Sequence, residues 1–403
     1  VLGAAEGALR LLGIEAEDER EDPFYGLSPD YKLFKKTRLE SGEEIYETNF
    51  NKQSSYDYFN FNYQTFPTPK APGGFRVFTL GGSSVYGVPY GDKESFSRRL
   101  EGKLRAARAG RPIEVVNTGG AGYETERIRI LVRELLDYEP DLFILYVGHN
   151  EFLNHFYRPG SADFAEKFST ARIYLNRIRL YALLRRPIVD LKYRLGRGGD
   201  APDADDEEPT RPADGPLVQV LDGGVIRRKY NFLLDAYVRN LTSIVREAGA
   251  RGVRVILATV GSNQLVPPNG SVHFKSLSPD EEKTWAEAYA AGADLYRWAT
   301  EGGAANSWEA TPEQRALLEE ARAHLERAAA VDDTFAMLSF YRGQVYGRLG
   351  DWPRAREMFQ RCLWEDARPN RAPMALNDAV RVVARVEGTA FVDAYAALAA
   401  RAT

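Results

Sequence analysis

Cysteine is almost absent from this chain of 403 residues. Cys362 stands alone, which excludes an intramolecular disulfide framework and a metal site built on cysteine. Histidine is nearly as scarce: His149, His155, His273 and His324 are the whole complement, and no two stand four apart as on a zinc-binding helix. Chemistry that needs an imidazole therefore has few residues to draw on. An excess of positive charge is lacking too. Lys and Arg number 53 against 57 Asp and Glu, a net charge of −4, which argues against nucleic acid as a partner. No apolar run reaches the length of a bilayer-spanning helix.

Hydrophobic residues make up 44% of the chain, enough for a large core and more than one domain. The opening "VLGAAEGALRLLGI" reads either as an amphipathic helix or as the tail of an apolar segment. The second reading predicts a signal anchor before Val1. The folded part would then lie outside the cytoplasm, periplasmic or at the cell surface, with that anchor as its membrane contact.

Residues 1–73 are a polar, aromatic-rich lead-in. From Gly74 the pattern changes to apolar strands alternating with segments of helical period. Strands are expected at Arg76–Leu80, Glu114–Asn117, Leu142–Val147, Val253–Val260 and Thr389–Asp393, with helices such as "ERIRILVRELLDYEP" between them. The alternation predicts an α/β fold, a parallel sheet with helices on both faces. Such sheets bind ligands outside the carboxyl ends of their strands.

This core spans 74–275 and is interrupted after His155. The interruption holds a basic helical stretch, "ARIYLNRIRLYALLRRPIVDLKYRLG", and a Gly-, Pro- and Asp-rich loop at about 196–216. Residues 276–370 read as a helical insertion, and 371–403 return to the core. The insertion carries an internal repeat: Ala321, Leu325 and Ala328 recur as Ala355, Phe359 and Cys362, each 34 residues on. With Gly343, Tyr346 and Gly350 upstream of the second set, the segment resembles a tetratricopeptide repeat and is a candidate surface for a protein or peptide partner. "WAEAYAAGADLYRWA" is the candidate for the missing first helix. Cys362 occupies a small packing position in the repeat.

Three blocks carry the chemistry. "FRVFTLGGSSVYG" runs a strand into glycines and serines, "VVNTGGAGYETERI" ends a strand in glycines before a helix, and "PDLFILYVGHNEF" ends a third in Gly148, His149, Asn150 and Glu151. Alone, "LGGSS" is compatible with a phosphate cradle at a helix N-terminus or a tight turn without chemistry. In order, the three resemble blocks I, II and III of the SGNH (GDSL) hydrolase superfamily. Gly82 stands in the place of that family's Asp, and Glu151 replaces the Asp of its Gly-x-Asn-Asp block. The inserted repeat, with "SNQLVPPNGSVHFKS", resembles a bacterial tetratricopeptide-bearing subgroup.

The resemblance implies a three-layer, flavodoxin-like sandwich with an inserted helical subdomain. It also implies a serine esterase, acyl hydrolase or O-acyltransferase acting on oxygen esters, such as those of exported glycans or lipids. Ser83 would be the nucleophile, with the N–H groups of Ser83 and Gly122 and the amide of Asn150 holding the oxyanion. A strand-to-helix turn exposes a hydroxyl, and developing negative charge calls for fixed donors around it. Ser84 is the rival nucleophile if the register slips by one. No cofactor or metal is implied.

The family's late Asp-x-x-His block, the source of base and orienting carboxylate, has no match in this chain. The expectation is that it lies beyond Thr403 in a longer natural protein and that this polypeptide is inactive without it. Of the histidines present, His273 is the candidate substrate contact and substitute base. His149 neighbours Asn150 on the alternate side of the strand end. His155 and His324 read as surface or helix residues. The competing reading is a non-catalytic binding or scaffold protein with a degenerate hydrolase domain, which Gly82 and Glu151 favour.

Overall fold

The structure, a computed structural model, describes residues 32–49, 61–108, 110–152, 223–301 and 308–401, together with Gly7, with side chains of the long fourth helix described from Tyr230 onward. The opening apolar segment, His155, the basic stretch and the Asp-rich loop lie outside the described residues. Among the described residues no helix is long and apolar enough to cross a membrane.

Three short strands, β1 (Phe34–Arg38), β2 (Glu44–Thr48) and β3 (Thr65–Pro67), form an antiparallel sheet in the lead-in, where the sequence pattern announces none. Five more form the parallel sheet of the α/β core: β4 (Phe75–Gly81), β5 (Ile113–Gly119), β6 (Leu142–Tyr146), β7 (Arg254–Ala258) and β8 (Ala390–Val392). Their order is β5-β4-β6-β7-β8, the doubly wound arrangement of flavodoxin-like folds. The five expected strands are all present, each within a residue or two of its expected bounds. Ten helices flank and extend them among the described residues: α1 (Ser83–Tyr86), α2 (Phe96–Ala107), α3 (Thr125–Leu135), α4 (Gly223–Ala250), α5 (Pro279–Thr300), α6 (Pro312–Val331), α7 (Ala336–Leu349), α8 (Trp352–Glu365), α9 (Met374–Val386) and α10 (Ala394–Ala399).

The described residues fall into two compact units, within Val1–Tyr123, Ile130–Phe143 and Tyr157–Asp214, and within Glu124–Arg129, Ile144–Phe156 and Gly215–Thr403. In the first unit β4 is buried along nearly its whole length, as its Phe-Arg-Val-Phe-Thr-Leu run requires. The arginine in that run is fully buried and saturated. Arg76 donates from Nε to Glu114 Oε2 at 2.6 Å and from its two terminal nitrogens to the carbonyls of Tyr138 and Pro67, both at 2.7 Å. A buried charge is tolerable only when so partnered. The bond to Pro67 fastens the small antiparallel sheet to the core, and Phe34, Tyr46, Phe66 and Tyr138 pack edge-on or tilted beside it.

In the second unit, α5 to α8 make two helical hairpins. Ser278 with Glu281 and Thr311 with Gln314 form capping boxes at α5 and α6, each followed by proline at the first helical position. α7 stops at Gly350, whose φ of 90° suits the left-handed C-terminal position. The hairpins are built on the same contact. A Cβ on Gly292 would stand 2.7 Å from Leu325, and one on Gly343 would stand 2.7 Å from Phe359, the residue 34 positions after Leu325. Gly292 lies in the segment named above as the missing first helix. Cys362 is 1% exposed in the core of the second hairpin, where burial pushes its thiol pKa up.

Candidate functional site

Ser83 and Gly122 belong to the first unit. β4 ends at Gly81, Gly82 takes an extended conformation as N-cap, and Ser83 opens the single turn of α1. Val85 anchors the turn by complete burial, while Ser83 is half-buried and Ser84 exposed. Among the described residues the Ser83 hydroxyl has no hydrogen-bond partner, so no base is set against it there.

Two glycines hold this turn tightly. β5 pairs with β4 in parallel, Gly119 opposite Gly81, and a Cβ on Gly119 would come within 2.2 Å of the Tyr86 nitrogen. Only glycine lets the end of β5 lie so close to the serine turn. Gly87 closes the turn at φ 120°, and a Cβ there would meet the Gly91 carbonyl at 2.5 Å. Gly122 lies just past β5 with φ 72°, a left-handed backbone that glycine adopts without strain.

A polar network fixes the same turn from below. Asn117, 1% exposed, accepts the Gly119 N–H on Oδ1 at 3.0 Å and donates to Asp92 Oδ1 at 2.7 Å. The side chain of Gln64 bonds both the backbone N–H and the carbonyl of Asn117, and Arg98 ties Gln64 to Asp92. Asn62 donates to the Tyr86 carbonyl at 2.8 Å. Asn117 opens the glycine run of the second block, but Asn62, Gln64, Asp92 and Arg98 lie outside all three, so the sequence pattern gives no reason to single those four out.

Asn150 belongs to the second unit, buried at 7% exposure on the turn after β6. Gly148 before it packs against Val260 and Ala372, at 3.2 and 3.3 Å from where its Cβ would be. The Val147 carbonyl accepts the Tyr237 hydroxyl at 2.9 Å. Glu151 is buried, and its carboxyl oxygens take the Thr125 N–H at 2.9 Å and the Thr125 hydroxyl at 2.8 Å, with Asn240 behind that hydroxyl. The glutamate thus lashes the Asn150 turn to the first turn of α3.

Burial, helped by the charge of Glu124 and opposed by the two Thr125 bonds, pushes the Glu151 pKa from 4.5 up to about 8. The folded state therefore keeps a proton that the unfolded chain loses above its ordinary carboxyl pKa. This contribution to stability is complete below about pH 4.5 and is lost as pH rises through about 8, at up to ~1.4 kcal/mol per pH unit. Urea unfolding between pH 5 and 8 should show Glu151→Gln gaining on the parent as pH rises. Parallel stability curves would mean that Glu151 carries no such proton.

The remaining candidates are in the second unit. His273 Nδ1 lies 2.5 Å from Asp332 Oδ2, and the ring packs edge-on to Trp285 with centroids 4.5 Å apart. Burial pushes the Asp332 pKa up, but hydrogen bonds from His273 and Thr334 outweigh it and leave the carboxyl below its ordinary value. The pair pins the loop after β7 to the turn between α6 and α7. His149 accepts the Ala372 N–H on Nδ1 at 3.2 Å. Burial, with the Arg371 guanidinium nearby, lowers its pKa from 6.5 to about 4. His324 is paired with Arg327 on α6. No cluster of three or more His, Cys, Asp or Glu side chains suited to a metal ion occurs among the described residues.

The chain matches no family model and no curated protein. Among solved structures it is similar to AlinE4, described as an SGNH-hydrolase family esterase, at 16% identity and TM-score 0.25, over 46% of this chain and 59% of that one. It is also similar to the lipase/acylhydrolase from Enterococcus faecalis, at 15% identity and TM-score 0.22, over 47% of this chain and 58% of that one. The similarity to TesA, at 15% identity and TM-score 0.25, covers 63% of this chain and 99% of that one. The chain thus spans less than two thirds of the length of the first two.

Proposed function

We propose that this chain is the body of an SGNH-type serine hydrolase or O-acyltransferase acting on oxygen esters. Ser83 attacks the acyl carbon, and the N–H groups of Ser83 and Gly122 with the side-chain amide of Asn150 hold the oxyanion. The observation that carries this reading is that β4, β5 and β6 run into the three blocks in turn, in a sheet of doubly wound order. The close contact at Gly119 supports it by fixing the serine turn against the end of β5.

The base and its orienting carboxylate are proposed to come from an Asp-x-x-His block following Thr403, with His273 as a substrate contact. A signal anchor before Val1 would place the enzyme outside the cytoplasm, where exported glycans and lipids carry esters. The hairpins of α5 to α8 are proposed to hold a protein or peptide partner as tetratricopeptide-like repeats, supported by the matching Gly292–Leu325 and Gly343–Phe359 contacts.

The test is hydrolysis of a small aryl ester at neutral pH by the chain as given and by one extended with the sequence that follows in its gene. The extended chain should turn over and the shorter one should not. Ser84→Ala in the extended chain should stay within about twofold of its parent, since that hydroxyl is not the attacking group. Equal activity of the two lengths would place the base within residues 1–403 and make His273 the first suspect. Loss of activity in Ser84→Ala would shift the nucleophile by one.

A further inference from the structure

α1 is a single helical turn, and a helix so short does not hold itself together in water. Its last carbonyls lie beyond the reach of its own N–H groups, so other parts of the chain must supply donors. The Ser83 carbonyl accepts the N–H groups of Gly87 and Val88, both at 3.0 Å. The Tyr86 carbonyl is met from the lead-in: Asn62 donates to it from Nδ2 at 2.8 Å, and Asn117 adds a longer bond at 3.4 Å.

Gly122 sits in a second turn of the same unit. The Tyr123 N–H reaches the Gly120 carbonyl at 3.2 Å and closes four residues with Gly122 third, where φ 72° suits glycine. The Gly120 N–H ties this turn to the end of β4 through the Gly81 carbonyl at 3.0 Å. The Tyr123 ring lies so close to Gly120 that a Cβ there would stand 2.5 Å from it. Phe61 packs edge-on to that ring, centroids 4.9 Å apart, and both residues are buried. Phe61 and Asn62 are neighbours in the chain, so one short stretch of the lead-in touches both turns. β2 holds the stretch in place: the buried Thr48 hydroxyl donates to the Asn62 carbonyl at 3.0 Å and accepts the Gln64 N–H at 2.9 Å. Tyr63, between them, is 60% exposed, with its hydroxyl on Glu47.

We propose that Asn62 and Phe61 are positioning residues for the acyl transfer, fixing the placement of the Ser83 and Gly122 N–H groups that hold the oxyanion. This rests on the reading of those two groups as oxyanion donors. Such donors help only when they are already in place as charge develops, and a one-turn helix and a glycine turn need outside support to stay there. The catalytic body thus extends upstream of Gly74, to Phe61.

Two measurements test it. In the extended chain, Asn62→Ala and the isosteric Asn62→Asp, which cannot donate, should each lower kcat for an aryl acetate about tenfold with KM within about twofold. The bond from Asn117 keeps this loss below that of a missing oxyanion donor. Phe61→Leu, which stays apolar but loses the edge contact, should lower kcat about fivefold in the same way. Affinity for an aryl boronic acid, which forms a tetrahedral adduct with a nucleophilic serine, should fall by the same factors. Tyr63→Phe should stay within about twofold on both counts. Values are taken per folded molecule from urea curves, so a merely structural role moves neither. A rise in KM alone, or boronate affinity that holds while kcat falls, would contradict the proposal. Amide hydrogen exchange in the chain as given reads the turns without chemistry. The Gly87 and Val88 N–H groups should exchange about tenfold faster in Asn62→Ala, and the Tyr123 N–H in Phe61→Leu. Unchanged exchange there would overturn the proposal, and so would faster exchange with kcat intact. A parent that hydrolyses no ester counts against Ser83, and exchange then still decides whether Phe61 and Asn62 hold the two turns.

Discussion

Ser83→Ala, made in the chain extended past Thr403, is expected to abolish turnover of a small aryl ester. The hydroxyl is the only group in the proposed site that forms a bond to the acyl carbon, so no neighbour can stand in for it. The fold should survive the change. Ser83 is half-buried, its hydroxyl bonds no described residue, and the turn is held by its backbone. The N–H groups of Gly87 and Val88 both reach the Ser83 carbonyl at 3.0 Å, and Val85 anchors the turn by complete burial. Unfolding in urea should therefore place parent and variant within about 0.5 kcal/mol, separating loss of chemistry from loss of structure. Retention of full activity would show that the serine turn is not the site.

Asn150→Ala is expected to lower kcat about a hundredfold or more with KM little changed. An oxyanion donor acts on charge that exists only in the transition state, so its loss appears in kcat, and one such donor contributes about 10²–10³. A structural asparagine would give another pattern, a loss of stability with a modest change in rate. Asn150 is buried at 7% exposure, so urea unfolding must be measured beside the kinetics. If kcat holds while stability falls, Asn150 is a packing residue and the oxyanion is held elsewhere.

Much of the core was legible because the forces that make it are local. β4, β5 and β6 are apolar runs rich in β-branched and aromatic residues that end in glycine or within two residues of one, and both signals survive in the bare sequence. The helical hairpins were legible through their small residues, since the offset of 34 marks repeated contacts. The small antiparallel sheet was not legible: "FKKTR" is largely solvent-exposed and "EIYET" mostly half-buried, both carry charges, and no apolar alternation stands out. Arg76 would argue against a buried strand until its three partners at Glu114, Tyr138 and Pro67 are known.

The site divides in the same way. Ser83, Gly122 and Asn150 are marked by sequence blocks, but the contacts that hold their turns are not. Gly119 looks like one more glycine in "NTGGAG", and only the approach of Tyr86 shows that no Cβ fits there. Asn117 reads as an ordinary strand residue until Gln64, Asp92 and the Gly119 N–H converge on it. The His149 ring is held by the Ala372 N–H, 223 positions away, and no local pattern carries that information.

The central claim is that Ser83 is the nucleophile, and covalent capture tests it most directly. The extended chain is treated with a fluorophosphonate that acylation-competent serines attack, then digested, and the modified residue is located by mass spectrometry. The account predicts one adduct, on Ser83, absent from Ser83→Ala and much slower to form in Asn150→Ala. An adduct on Ser84 or on any other residue, or an active chain that forms none at Ser83, would contradict it.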